Sequence, residues 1–499
     1  MPSFSDIVFE AGIAARSLAD LLTGRSLRLG VTGLSGAGKT IFVTALVQHL
    51  TLAARLAELG TKNPLPVFRV HAEGRLVGAR LEPQPDDAVP RFAYEDHVNM
   101  LTGPGGHNDA RAWPQSTKRI SELRLWLEFE RGAGIGRRSR AGLAIDIVDY
   151  PGEWLLDLTL LEKSYQRWSQ ETLASSASSV RAPLAAEWRT YVQNLDPNAP
   201  EEEDVAQRAA ALFKAYLKAC RAEPVSASAL PPGRFLMPGD LEGSPLLTFS
   251  PLQLQENATV APHSLAAMMA RRYEAYRAHV VRPFFRDHFA RLDRQIVLVD
   301  VLAALNGGPT ALRDLETALA DVLSAFRTGR NSLLSTLLRP KIDKILFAAT
   351  KADHLNHLSH DRLEAILRRL TARAIARAES LGAAIDVVAL AAVRATREAN
   401  VGRGGAALPA VIGTPLKGER IGDEVFDGAT EVAIFPGELP SNPDEVFAGD
   451  YAVDPRTADY RFVRFRPPIA ARDAAAAPLP LPHIRLDRAL QFLLGDRLR

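Results

Sequence analysis

The octapeptide Gly33-Leu34-Ser35-Gly36-Ala37-Gly38-Lys39-Thr40 constrains this chain more than any other stretch. It follows an apolar run, Leu27 to Thr32, and opens a helix-forming one, Ile41 to Val47. Strand, glycine loop and helix in that order make a phosphate-binding P-loop. Turning at Gly33, Gly36 and Gly38 points successive N–H groups at phosphate oxygens, and the helix N-terminus adds its positive end. Ser35, Gly36, Ala37, Gly38, Lys39, Thr40 and Ile41 are therefore candidate nucleotide-binding residues. Lys39 would reach the β- and γ-phosphates, and the Thr40 hydroxyl would ligate Mg²⁺.

The rest of the chain alternates in a way that suits such a loop. Strand signals at Ile120 to Phe129 and Leu143 to Val148 are joined by Gly132 to Arg138, read as a basic hairpin tip. Ile296 to Val301, Lys344 to Ala349 and Ile385 to Ala391 read as strands. Helical patterns at Thr310 to Arg327 and Ser359 to Leu381 separate them, which predicts a parallel sheet covered on both faces. Between these blocks, Trp154 to Arg294 reads as mostly helical, with a helix start at Asp196 to Glu203, a connector at Pro224 to Pro262 and a long helix from Ser264 to Asp293. The arginines of that helix read as a solvated face. Ser5 to Thr23 predicts an amphipathic helix capped at Gly24, Val67 to Leu81 a hairpin about Glu73-Gly74, and Pro- and Gly-rich chain continues to Pro114. Beyond Arg394, Val432 to Phe435 and Tyr460 to Phe465 suggest extra β structure before a last helix, Leu486 to Leu494. The expected division is residues 1–153, a helical insertion at 154–294, the second part of the core at 295–400, and a β-rich extension at 401–499.

Composition narrows the class. Sixty basic against fifty-eight acidic residues leave +2, so no global field points to nucleic acid. The single cysteine, Cys220, cannot form an internal disulfide and reads as a small buried hydrophobe. No apolar run approaches the roughly 20 residues of a membrane span, and Asp6 and Glu10 stand where a signal peptide would be basic. A soluble cytoplasmic protein is expected, with peripheral membrane recruitment left open.

Two further motifs lie at predicted strand ends. Asp149-Tyr150-Pro151-Gly152 closes one strand; Asp149 would hold Mg²⁺ through water, and the Gly152 N–H would meet the γ-phosphate. Thr350-Lys351-Ala352-Asp353 closes another. The Asp353 carboxylate can accept both N1–H and the N2 amine of guanine, a donor pair that adenine lacks, while Lys351 would lie along the base and brace the P-loop. Leu390 to Val393 falls where a backbone amide meets the guanine O6, with Ala392 and Val393 the candidates. A Mg²⁺-ligating threonine should precede the strand beside Asp149. Thr117 stands there, with Ser116 and Thr102 as weaker alternatives, and Arg111 or Arg119 could bring positive charge to a transition state. His354, His357 and His360 have spacing that shares a helix face poorly, which argues against a metal site.

These motifs in this order look like a translation-factor-class GTPase domain. More narrowly, the P-loop, Asp149 to Asp157, Val299 to Gly308, Thr350 to Asp353 and Ala389 to Thr396 resemble the bacterial YcjX-like P-loop proteins. The resemblance implies a Ras-like core carrying a helical insertion, and a stress-associated, GTP-binding protein. Lys39, Thr117 and Glu153 are the candidate catalytic residues; Thr40, Thr117 and Asp149 are those for metal. Glu153 stands where a glutamine usually orients the attacking water, which predicts slow turnover. A hydrolysing switch, a nucleotide-dependent scaffold acting through protein partners, and an ATPase are the readings that follow.

Overall fold

In the computed structural model, residues 26–58, 63–103, 110–115, 117–131, 139–178, 181–222, 230–254, 260–289, 291–325, 342–380, 382–403, 406–448, 460–472 and 479–499 are described. The helix expected over Ser5 to Thr23, the basic tip Gly132 to Arg138 and Ser116 lie outside them. β1 (Ser26–Gly33) runs into the P-loop, and α1 (Lys39–Glu58) starts on it. β2 (Leu76–Glu82), α2 (Tyr94–Thr102), β3 (Ser121–Glu130) and β4 (Arg140–Asp149) follow. The helical stretch holds α3 (Tyr165–Ser175), α4 (Ala182–Gln193), α5 (Glu203–Ala222) and α6 (Leu265–Tyr276). β5 (Arg294–Val299), α7 (Gly308–Ala325), β6 (Lys344–Ala349), α8 (His360–Leu370), α9 (Ala372–Ser380) and β7 (Ala384–Ala389) restore the alternation. β8 (Arg397–Arg403), β9 (Ala406–Gly413), β10 (Val432–Ile434) and α10 (Leu486–Leu494) complete the chain.

The described residues form a seven-stranded sheet in the order β2-β3-β4-β1-β5-β6-β7. β4, β1, β5, β6 and β7 are mutually parallel, and β2 and β3 are antiparallel additions at one edge. This is the α/β fold of a Ras-like P-loop core. Side-chain alternation along β5 explains the two covering layers. Ile296 and Leu298 pack with α1 and α10, whereas Val297 and Val299 pack with α7 and α8. β8, β9 and β10 make a separate antiparallel sheet, the extra β structure near the C-terminus. The helical stretch has its own aromatic core, where Trp168 stacks on Tyr273 and Trp188 on Tyr216. Cys220 is buried there. Among the described residues no helix is long and apolar enough to cross a membrane.

Several local readings differ from the structure. Val67 to Leu81 is not a hairpin: Arg69–Ala72 is one helical turn, and β2 pairs with β3 instead. Alternation assigns faces to a strand but not its partner. The helix expected from Ser264 to Asp293 leaves α geometry after Tyr276, with π turns at Arg277–Val281 and Phe285–Phe289 flanking Arg282–Phe284. Pro283 cannot donate to the ladder and crowds the preceding turn, which forces wider hydrogen bonding. Four of its six arginines, Arg271, Arg282, Arg286 and Arg291, are exposed as a solvated face would be, while the half-buried Arg272 and Arg277 pair with Glu203 and Glu274. The helix expected over Ser359 to Leu381 breaks at Thr371, and Tyr460 to Phe465 forms no strand, bridging only Phe465 to Pro415.

At the sheet's amino-terminal end, the fully buried Arg294 guanidinium holds Asp343 before β6 and Asp496 after α10, donating to both oxygens of Asp496 at 2.6 Å. Removing it takes the shared cation from both partly exposed carboxylates, of which Asp496 keeps Lys344 Nζ at 2.8 Å. Arg294→Ala is expected to cost about 2 kcal/mol of unfolding free energy by urea titration, from the charge-assisted hydrogen bonds it loses, and a loss below about 0.5 kcal/mol would contradict this account.

Candidate functional site

Parallel pairing aligns the carboxyl ends of β4, β1, β5, β6 and β7 along one edge of the sheet. Asp149 ends β4, and the P-loop, Asp300, Thr350-Lys351 and Leu390 stand directly at the other four ends. A cavity of about 350 Å³ opens there. Among the predicted residues, Ser35, Gly36, Ala37, Gly38, Lys39, Thr40, Ile41, Thr117, Gly152, Glu153, Lys351, Asp353, Ala392 and Val393 all line it. The front of the chain and a carboxylate more than halfway along it thus share one space.

The P-loop end is built on backbone. Gly36 and Gly38 take φ of +78° and +85°, a region that side chains disfavour. Lys39 Nζ donates to Gly33 O at 2.9 Å, bridging the loop. Burial lowers the Lys39 pKa, against the pull of Asp149 and Glu153. Gly152 closes on the loop so tightly that a Cβ there would stand 2.6 Å from Gly33 O and 2.8 Å from Lys39 Nζ.

The three predicted metal ligands converge. Thr117 Oγ1 donates to Asp149 Oδ2 at 2.6 Å and lies 2.8 Å from Thr40 Oγ1, which is itself 3.2 Å from the same oxygen. Asp149 Oδ1 is buried and has no hydrogen-bond partner among the described residues. Burial raises the Asp149 pKa, opposed by Lys39. Two hydroxyls and one carboxylate, one of whose oxygens is unmatched, form the all-oxygen donor set that a hard divalent cation takes. The alternative Thr102 is elsewhere, donating to Val98 O within α2. Arg111 donates to Pro467 O at 2.6 Å and Arg119 is exposed; neither lines the cavity. The three histidines go separate ways: His354 against Phe465, His357 with Glu398, His360 with Ala352 O. No metal-holding cluster of His, Cys, Asp or Glu occurs among the described residues.

At the other end Asp353 is buried and its orientation is set. Its Oδ2 accepts from the Ala395 amide at 2.8 Å, and Thr396 Oγ1 donates to its carbonyl. The amides of Ala392 and Val393 meet no acceptor among the described residues, whereas Ala391 is tied to Ile484. Lys351 adopts φ +60°, a left-handed strain of the kind held at functional sites, and its ammonium pairs with Asp300 instead of reaching the P-loop.

A family described as "YcjX-like family, DUF463" matches residues 27–498. The chain belongs to the YcjX-like family. It is 37% identical over 484 residues to the protein named "Ras-like GTPase YcjX" of Escherichia coli, covering 95% of this chain and 96% of that protein. It is 35% identical over 495 residues to the protein of the same name from Shewanella oneidensis, covering 97% of each.

In this YcjX-like chain the cavity also has walls that motif reading missed. Leu416, Arg464 and Phe465 line it from the C-terminal segment, and Trp113 Nε1 donates to Phe465 O at 2.6 Å. The helical stretch grips the segment after Gly152. Trp154 Nε1 donates to Met237 O, the Arg234 guanidinium stacks over the Trp154 ring, and a Cβ on Gly233 would fall 1.8 Å from Glu153 O. Asp157 accepts from the Gly233 amide at 2.7 Å and the Tyr276 hydroxyl at 2.6 Å. Composition offers no signal for these contacts, since each joins residues far apart in the chain.

Burial pushes the Asp157 pKa up from 3.8 to about 6, although Tyr276 and the Gly233 amide favour its charge. The native state therefore keeps a proton that the unfolded chain has lost between those values. The contribution is full below about pH 4 and disappears as pH rises through about 6. Relative to Asp157→Asn, which cannot ionise, the parent protein should lose about 3 kcal/mol between pH 4 and 7 in urea titrations. Parallel stability curves for the two would refute the buried protonated carboxyl.

Proposed function

We propose that this chain binds GTP with Mg²⁺ and hydrolyses it slowly to GDP and phosphate. The observation that carries the reading is the single cavity lined by both the P-loop and Asp353. The P-loop amides and Lys39 would hold the β- and γ-phosphates, and Asp353 with the Ala392 and Val393 amides would read the guanine edge. Thr40, Thr117 and Asp149 would hold Mg²⁺, whose charge offsets that of the phosphates. Gly152, with no room for a side chain beside Lys39, would present its amide to the γ-phosphate. The names of the E. coli and S. oneidensis relatives agree with this activity.

Slow turnover follows from Glu153. A carboxylate can accept a hydrogen bond from water but carries negative charge towards the γ-phosphate, where a neutral amide would not. We assign the division at 153/154, 294/295 and 400/401 to a split core, a helical readout and an extension, with protein partners reading nucleotide state through the helical part or the Trp113 to Thr117 stretch. Such a switch fits the stress-associated role that the family resemblance implies and the cytoplasmic location expected from the sequence.

Asp353→Asn should weaken GTP binding by on the order of 100-fold and improve binding of xanthosine triphosphate, measured by titration calorimetry. Unaltered GTP affinity would remove the guanine assignment and return an ATPase to consideration. In single-turnover assays Glu153→Ala should hydrolyse about tenfold slower, on general-base magnitudes, while Glu153→Gln keeps or exceeds the parent rate. Equal rates in all three would take Glu153 out of the chemistry.

A further inference from the structure

One cation from the helical stretch reaches the phosphate end of the cavity. Arg221 lies in the last turn of α5. Its Nη2 donates to Ser35 Oγ at the P-loop tip at 3.2 Å and forms an ion pair with the Glu153 carboxylate. Ser35 and Glu153 both line the cavity, as do Gly152 and Lys39. An arginine that bridges them stands at the mouth of the space between the P-loop and Gly152, where the γ-phosphate would lie. Its Nε and Nη1 meet no acceptor among the described residues.

A C-terminal arginine on a helix is ordinarily explained by the helix dipole. That does not account for this one, whose guanidinium crosses to another part of the molecule. Charge supplies the stronger reason. Asp149 and Glu153 already place two buried carboxylates beside Lys39. A further anion arriving there needs a further cation, and Glu153 in particular needs its charge masked.

We propose that Arg221 is a catalytic residue, supplied from within the chain by the helical stretch, that stabilises the transferring phosphoryl group. The inference rests on the GTPase reading above. In the reaction the water oxygen bonds to the γ-phosphorus. The bond from that phosphorus to the β–γ bridging oxygen breaks, its electron pair stays on GDP, and the water's proton passes to the phosphate released. Arg221 pairs with Glu153 and offsets part of the carboxylate's repulsion of the γ-phosphate while the carboxylate holds the attacking water. The remaining N–H groups of its planar fork donate to the phosphoryl oxygens as charge redistributes. Neither Arg111 nor Arg119 is placed to do this. Turnover would then depend on how α5 is held against the P-loop.

The test uses the full chain and the variants Arg221→Ala and Arg221→Gln. Both should bind GTP and GDP within about threefold of the parent but hydrolyse GTP at least roughly 100-fold slower in single turnover, given the usual worth of such an arginine. They should also fail to capture aluminium fluoride beside GDP, and millimolar guanidinium should restore part of the Arg221→Ala rate. A purely structural arginine would give neither the lost capture nor the rescue. If the parent neither binds nor hydrolyses GTP, the GTPase reading falls and takes this one with it. If the parent hydrolyses GTP while both variants match it within threefold and still capture aluminium fluoride, the role of Arg221 alone is overturned.

Discussion

Parallel pairing of β4, β1, β5, β6 and β7 is the constraint on which everything else rests. Because parallel strands share a direction, their carboxyl ends meet along one edge, and each following loop enters the same crevice. β1 lies at the centre, with β4 on one side and β5 on the other. The P-loop therefore has Asp149 beside it, and the Thr350 to Asp353 and Leu390 to Val393 segments stand beyond β5. No single motif contains this neighbourhood. It exists because the ladder holds the ends level.

The helical stretch is joined to that edge at its most sensitive point. Gly233 approaches the Glu153 carbonyl more closely than any side chain would allow, Asp157 is held by Gly233 and Tyr276, and Trp154 is covered by Arg234. Arg221 adds a contact directly to Ser35 and Glu153. A movement of the Gly152 segment would have to be accommodated by these buried contacts, so the aromatic helical core and the P-loop cavity are mechanically continuous.

The C-terminal extension plays a comparable part at the other end of the cavity. Phe465 and Leu416 form wall, and the Phe465 and Pro467 carbonyls anchor Trp113 and Arg111. The stretch leading to Thr117 is thereby fixed at one end by the extension and at the other by Asp149. Ile484 ties the loop after β7 to the segment that enters α10. The walls of the pocket consequently come from the P-loop, the segments around Trp113 and Gly152, the loops after β6 and β7, and the C-terminal extension.

What could be read from the sequence is what depends on near neighbours. The P-loop needs glycine at left-handed positions followed by a helix start, and Gly36 and Gly38 meet that need within a few residues. β6 and α10 have the bounds expected of them, because a buried apolar run and a 3.6-residue period are local properties. The partner of β2, the break at Thr371 and the π turns about Pro283 were not legible, since pairing and packing decide among conformations that the local pattern tolerates. Arg111 and Arg119 looked suitable by proximity along the chain, yet it is Arg221 that contacts Ser35 and Glu153. Sequence alone determined the chemistry available: amide donors, a lysine, hydroxyls and carboxylates at strand ends. Tertiary structure alone decided which distant side chains complete the pocket, because a contact between remote segments depends on how whole layers pack and leaves no periodic trace in either segment.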